Sequence, residues 1–320
     1  MTEIIQIPFK SFDSGRHDST QSSIFMDVHV PSKASATNKA PIILWWHGGG
    51  LLQGSRKGLA PHLRAAPEKH GIAVVSADYR LAPQVRMPSI LSDISDALHF
   101  LQSPEFESST GGKLDTSRIA VSGSSAGGWL ALLAGTGHGF EACGVKAPPL
   151  DSIRGIAAIY PITSLTDDFW LKKQHPVSFA PEGKMVRPDD LDGALDPEGP
   201  ILAFSSPDTP RSKFYSYMVQ EALLPQLLLD GTQVKAESIG IAENIRAGTI
   251  KSIPPTYIVH GDIDDKVPLR QATDVAEAAA EAGLSNFVTL DIKKGKDHSY
   301  DQQEGEDMDA MYQFLTRILF

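Results

Sequence analysis

The chain has 320 residues, 41% of them hydrophobic and 21% charged, with 29 Lys and Arg against 39 Asp and Glu for a net charge of −10. This composition excludes a disordered chain, a collagen-like repeat and a coiled coil. Acidity without clustered Lys and Arg argues against nucleic acid and against anionic membrane surfaces as partners.

The length allows two domains of about 150 residues or one large α/β domain with an insertion. A single cysteine, Cys143, permits no internal disulfide and makes a structural zinc cluster implausible. Met1–Gln6 lacks a basic stretch followed by an apolar run, so the N-terminus does not read as a signal peptide. No stretch approaches about 18 consecutive apolar residues, and Arg317–Phe320 matches no retention or peroxisomal signal. The expectation is a soluble, cytoplasmic protein.

Taken in chain order, Ser22–Val30 alternates weakly and predicts an outer antiparallel strand. Pro41–Trp46 (PIILWW) is a continuous apolar run, as a strand buried on both faces requires. Gly71–Ala77, Arg118–Val121, Gly155–Tyr160 and Pro255–Val259 read the same way, and Phe287–Ile292 predicts a further strand. Helices are predicted between them. Pro88–Leu101 gathers Ile90, Leu91, Ile94, Ala97, Leu98 and Leu101 on one face behind a proline in the first turn. Ala126–Ala134 follows a strand directly, and Leu269–Ala282 is Ala-rich. A last helix is expected from about Glu304 to Leu319, with Asp301, Glu304, Glu306, Asp307 and Asp309 as its solvated acidic start. Strands alternating with helices imply an α/β fold, a largely parallel sheet covered on both faces. From about Ile162 to Ile253 that rhythm breaks and prolines recur, which predicts an insertion carrying its own helices.

Four segments carry chemistry. Gly123-Ser124-Ser125-Ala126-Gly127 is a G-x-S-x-G pentapeptide between a predicted strand and a predicted helix, the context of a nucleophile on a sharp turn. His47-Gly48-Gly49-Gly50 follows the PIILWW strand. Its glycines can bring backbone N–H groups close to an oxyanion, so Gly48, Gly49 and Ala126 are the candidate donors. A serine nucleophile needs a base, and the base an orienting acid. The spacing His260-Gly261-x-x-Asp264 before Val267-Pro268 selects Asp264, with Asp262 as rival and Asp265 less favoured. Of ten histidines, His298 alone follows both the serine and a candidate acid at the end of a late strand, so it is the candidate base. Asp297 beside it reads as a surface charge, and His47 and His260 as structural. His17, His29, His62, His70, His99, His138 and His175 show no metal-ligand spacing. Cys143 reads as a packing residue, and Trp45, Trp46, Trp129 and Trp170 as core or pocket wall.

These segments resemble the hormone-sensitive-lipase-like esterases of the α/β-hydrolase superfamily. The resemblance rests on HGGGLLQGS (His47–Ser55), DYRLAP (Asp78–Pro83), SGSSAGGWLA (Ser122–Ala131), GDIDDKVP (Gly261–Pro268) and the loop around His298. It implies an eight-stranded, mostly parallel sheet and a serine hydrolase with no metal or cofactor. It also implies one domain over residues 1–320, with a helical cap made of about 1–20 and of an insertion after the sixth strand, about 162–253. The chain departs from the family in having Ser124 where an acidic residue or Thr is usual and Gln84 where Glu is usual. Its acid segment is closer to the style of dienelactone hydrolases or prolyl peptidases. The arrangement also resembles accessory hydrolases of fungal secondary metabolism.

The expected reaction is cleavage of a carboxylic ester, of short or medium acyl chain or of a bulky ester or lactone, through a Ser125 acyl-enzyme with His298 and Asp264. An amidase such as an arylformamidase would use the same machinery. A non-hydrolytic ligand receptor or a dehydratase on the same fold is the reading from another class. The partner expected is a small-molecule substrate, with a homodimer possible.

Overall fold

The computed structural model describes residues 2–14, 22–180 and 183–320. Eight strands form one sheet in the order β1-β2-β4-β3-β5-β6-β7-β8. They are β1 (Glu3–Phe12), β2 (Ser22–Val30), β3 (Ala40–Trp46), β4 (Ala73–Ala77), β5 (Leu114–Ser124), β6 (Ile153–Ile159), β7 (Thr256–Gly261) and β8 (Val288–Lys293). β3 through β8 run parallel to one another, and β2 is antiparallel to both β1 and β4. The parallel strands are the apolar runs of the sequence. In β3 the side chains alternate between two apolar layers: Ile42, Leu44 and Trp46 join one, Ile43 and Trp45 the other.

Helices α1 (Pro61–His70) and α10 (Asp309–Leu319) cover one face. Helices α2 (Met87–Leu101), α3 (Pro104–Ser109), α4 (Ala126–Thr136) and α9 (Arg270–Glu281) cover the other. Between β6 and β7 the chain makes only short helices: α5 (Asp168–Leu171), α6 (Phe214–Glu221), α7 (Leu224–Leu229) and α8 (Ile241–Arg246). The insertion shares the apolar layer of α2 and α4 through buried Trp170, Phe214, Met218, Leu224 and Leu228. Among the described residues no helix is long and apolar enough to cross a membrane.

Three expectations are corrected. Ser22–Val30 is antiparallel as predicted, but it is not outermost, because β1 pairs with its other edge. Glu3–Phe12 therefore belongs to the sheet and not to a cap, although Ser14 O accepts a hydrogen bond from Ile201 N of the insertion at 3.2 Å. Of the expected 1–20 cap segment, Met1 and residues 15–20 lie outside the described residues. The last helix begins at Asp309 rather than Glu304, and Asp301 is buried rather than solvated.

The loop after β3 is held to the sheet by charge. Arg56 N donates to Asp78 Oδ1 at 2.6 Å, and its guanidinium bonds Asp78 Oδ2 and Asp27 Oδ1, the latter at 3.0 Å. All three side chains are less than a tenth exposed, and Lys57 Nζ, 2.5 Å from Asp27 Oδ2, supplies a second cation for the second carboxylate.

Candidate active site

Ser125 stands at the end of β5 and caps α4, with φ 59° and ψ −121°. A non-glycine residue at positive φ is costly unless its surroundings over-determine it. They do so here. Ser125 N donates to Ile159 O at 2.8 Å, and Ser125 O accepts from Gly128 N at 3.0 Å and from Ile162 N at 3.3 Å. The turn is tight enough that a Cβ on Gly123 would sit 2.1 Å from Gly127 O, and one on Gly127 2.1 Å from Trp46 O. The crowding at these glycines is backbone against backbone.

The N–H groups of Gly48, Gly49 and Ala126 donate no hydrogen bond among the described residues. Gly48 packs against the nucleophile, since a Cβ there would meet Ser125 Cβ at 3.0 Å. Gly49 has φ +100°, and a Cβ would lie 2.1 Å from Gln53 O. The Gly49→Ala variant must therefore move this loop. The expected result is a fall in kcat on an aryl ester of about 10²-fold or more, the cost of one misplaced oxyanion donor. Unchanged far-UV circular dichroism would separate that loss from unfolding.

The imidazole of His47 is buried. Its Nδ1 is 2.8 Å from Gly48 O and 3.2 Å from Tyr79 Oη, and the two rings stack at 4.2 Å. Burial pushes its pKa down to about 4, so it is neutral at neutral pH and acts as a strut of the loop.

Of the three candidate carboxylates, Asp264 is the one that meets His298 among the described residues. Asp264 Oδ2 lies 2.7 Å from His298 Nδ1, and Oδ1 accepts from Lys266 N and Val267 N, both at 2.9 Å. Asp262 instead accepts from Gly295 N at 2.5 Å, which ties the acid loop to the histidine loop. Among the described residues neither Asp265 nor the exposed Asp297 forms a hydrogen bond or ion pair with His298. Burial disfavours the Asp264 carboxylate, but hydrogen bonds from His260 and His298 outweigh it and hold the group well below the usual carboxylate range.

Ser125 and His298 line one cavity of about 460 Å³. No hydrogen bond joins them among the described residues. In a free enzyme such contacts are often long and tighten with substrate. Gly48 and Gly49 line the same cavity, and the insertion adds Phe179, Ser212, Tyr215 and Ser216 to its wall.

Two groups lie behind the site, and the second of them escaped sequence reading. His260, read as structural, is fully buried and sets its Nε2 2.9 Å from Val267 O and 3.2 Å from Asp264 Oδ2, beneath the acid. Tyr160 packs its ring 4.4 Å from the His298 ring and donates its hydroxyl to Asp301. Asp301 also meets His62 Nε2 at 3.2 Å, and His62 Nδ1 reaches Tyr312 Oη at 2.9 Å. The position of Tyr160 at the end of β6, one strand over from Ser125, was the available signal.

The comparisons accord with this architecture. The BD-FAE family model matches residues 26–182, just under half of the chain. The chain is similar to an α/β-hydrolase superfamily protein from Enterococcus faecalis (TM-score 0.65, 18% identity, 93% of this chain and 95% of that one). It is also similar to Thermogutta terrifontis esterase 2, phosphoramylated by tabun in that structure (TM-score 0.60, 19% identity, 99% and 91%). The chain therefore has the α/β-hydrolase fold. Sequence similarity extends to non-reducing polyketide synthases. One of Aspergillus calidoustus is 30% identical over 87% of this chain and 12% of its own length. Another, of Emericella nidulans, is 28% identical over 89% and 13%. The chain thus spans about an eighth of the length of these relatives.

Proposed function

We propose that the chain is a serine esterase in which Ser125 is the nucleophile, His298 the general base and then acid, and Asp264 the orienting carboxylate. The observation that carries this reading is the 2.7 Å contact between Asp264 and His298 on the wall of the cavity that Ser125 enters at positive φ. His298 Nδ1–H donates to Asp264, which leaves Nε2 as the acceptor for the serine proton. Ser125 Oγ attacks the ester carbonyl. The N–H groups of Gly48, Gly49 and Ala126 hold the resulting oxyanion, aided by the positive end of α4. Collapse expels the alcohol, which takes the proton from His298, and water then releases the acid by the reverse sequence.

The insertion is read as a cap, since it supplies one wall of the cavity. The volume of about 460 Å³ suits a small molecule. Similarity to polyketide synthases favours a bulky ester or lactone of secondary metabolism as the substrate class.

The test is a matched set of aryl ester, lactone and anilide substrates. The expected outcome is ester turnover well above that of the anilide. Faster anilide cleavage would make the chain an amidase. Absence of both turnover and fluorophosphonate labelling would overturn the hydrolytic reading in favour of a ligand-binding or dehydratase role.

A further inference from the structure

The cavity has one feature that the acyl-transfer machinery does not use. Among the described residues lining it, Lys266 is the only lysine or arginine, and no aspartate or glutamate faces it. This is unexpected in a chain with a net charge of −10. The cation is held at a fixed point. Lys266 N donates to Asp264 at 2.9 Å, and Lys266 O accepts from Tyr215 Oη at 2.6 Å, so its backbone is tied to the acid on one side and to the insertion on the other. The ammonium rests over the Phe179 ring, 5.3 Å from its centroid. Among the described residues its nearest carboxylate is the partly exposed Asp265, 4.0 Å away, at the outer limit of an ion pair. The side chain is one-third exposed, so a ligand can reach it. A cation on an aromatic wall, weakly paired and beside an apolar surface, favours a ligand with negative charge and a flat or apolar body.

We infer that Lys266 selects substrates carrying an anionic oxygen, a carboxylate or an ionised phenol, at a distance from the scissile ester. The inference rests on the esterase reading. The anion could belong to the acyl part or to the leaving alcohol, and both are Lys266 contacts of the same chemistry.

The experiment compares matched pairs. 4-Nitrophenyl hydrogen adipate against its methyl ester tests the acyl side, and 4-acetoxybenzoate against its methyl ester tests the leaving-group side. In one arm the anionic member is expected to be preferred by about five- to tenfold in kcat/KM, carried by KM, as for one partly desolvated ion pair. The preference should shrink as ionic strength rises from about 10 mM to about 1 M. Lys266→Gln should bring the ratio to about one, and Lys266→Arg should keep it. A wild-type ratio near one in both arms, or a ratio that survives Lys266→Gln, overturns the inference. Calorimetric binding of both pairs to Ser125→Ala protein reads the same preference without turnover. An absence of hydrolysis would therefore count against the esterase reading alone, while equal binding within both pairs would count against Lys266.

Discussion

Ser125→Ala lowers kcat on a 4-nitrophenyl ester by about 10⁵- to 10⁶-fold, to a residual rate that oxyanion donors and binding alone support. The alanine keeps the backbone at φ 59° and removes only the attacking oxygen. The variant therefore retains its thermal midpoint and loses fluorophosphonate labelling. His298→Ala falls by a similar factor, and the double variant falls no further than either single one, because the two groups act as a unit. Retention of more than about a tenth of the wild-type rate by Ser125→Ala would remove the nucleophile from the mechanism.

The second large effect separates the competing aspartates. Asp264→Asn lowers kcat by about 10⁴-fold, since an amide in its place favours the wrong imidazole tautomer. Asp262→Asn keeps an amide oxygen that can accept from Gly295 N and removes only the charge on that bond, so its expected cost is about tenfold at most. Reversal of that order would make Asp262 the triad acid. The pH dependence of stability gives an independent reading. The Asp264 pKa is depressed in the folded chain, so the stability its ionised form contributes is present above the unfolded value, 3.8, and is lost as pH falls through the folded value. The gap in thermal midpoint between wild type and Asp264→Asn is therefore expected to close as pH drops below 3.8. A gap that stays constant through that range would show the carboxylate to be unperturbed.

The strands were legible in the sequence where burial on both faces leaves a continuous apolar run, as in β3, whose residues are all buried. Edge strand β1 was not. Its side chains are mostly exposed or half-buried, and Pro8 stands beside a register shift in its pairing. Helix α1 hid for a related reason, since it buries only Leu63, Ala66 and Pro67 and carries a proline within it. In the site, the spacing that pointed to Asp264 agrees with its contact to His298, while Asp262 meets the same loop at Gly295 N. Spacing could not show that Asp301 is buried. Its partners Tyr160 and His62 are 141 and 239 residues away in sequence, and only the packing of the final segment against β6 and α1 joins them. A run of acidic residues before a helix looks solvated whenever that packing is unknown. The helices of the insertion, none longer than the eight residues of α6, were too short to show a period.

Arg211 of the insertion has a consequence for how this protein could be re-engineered or could diverge. It is buried, and its guanidinium donates to Leu52 O at 2.6 Å, Ala82 O at 2.5 Å and Gln84 Oε1 at 2.9 Å. Leu52 lies three residues beyond Gly49 on the same loop, so the insertion and that loop are joined mechanically. Gln84 in turn donates to Ala194 O and Asp196 O, which returns the connection to the insertion. The insertion is thus not an interchangeable module. A chimera that grafts another insertion onto this sheet inherits three unsatisfied acceptors unless it brings its own donor. Changes of specificity in such a lineage would have to arrive as coupled replacements on both sides of this joint.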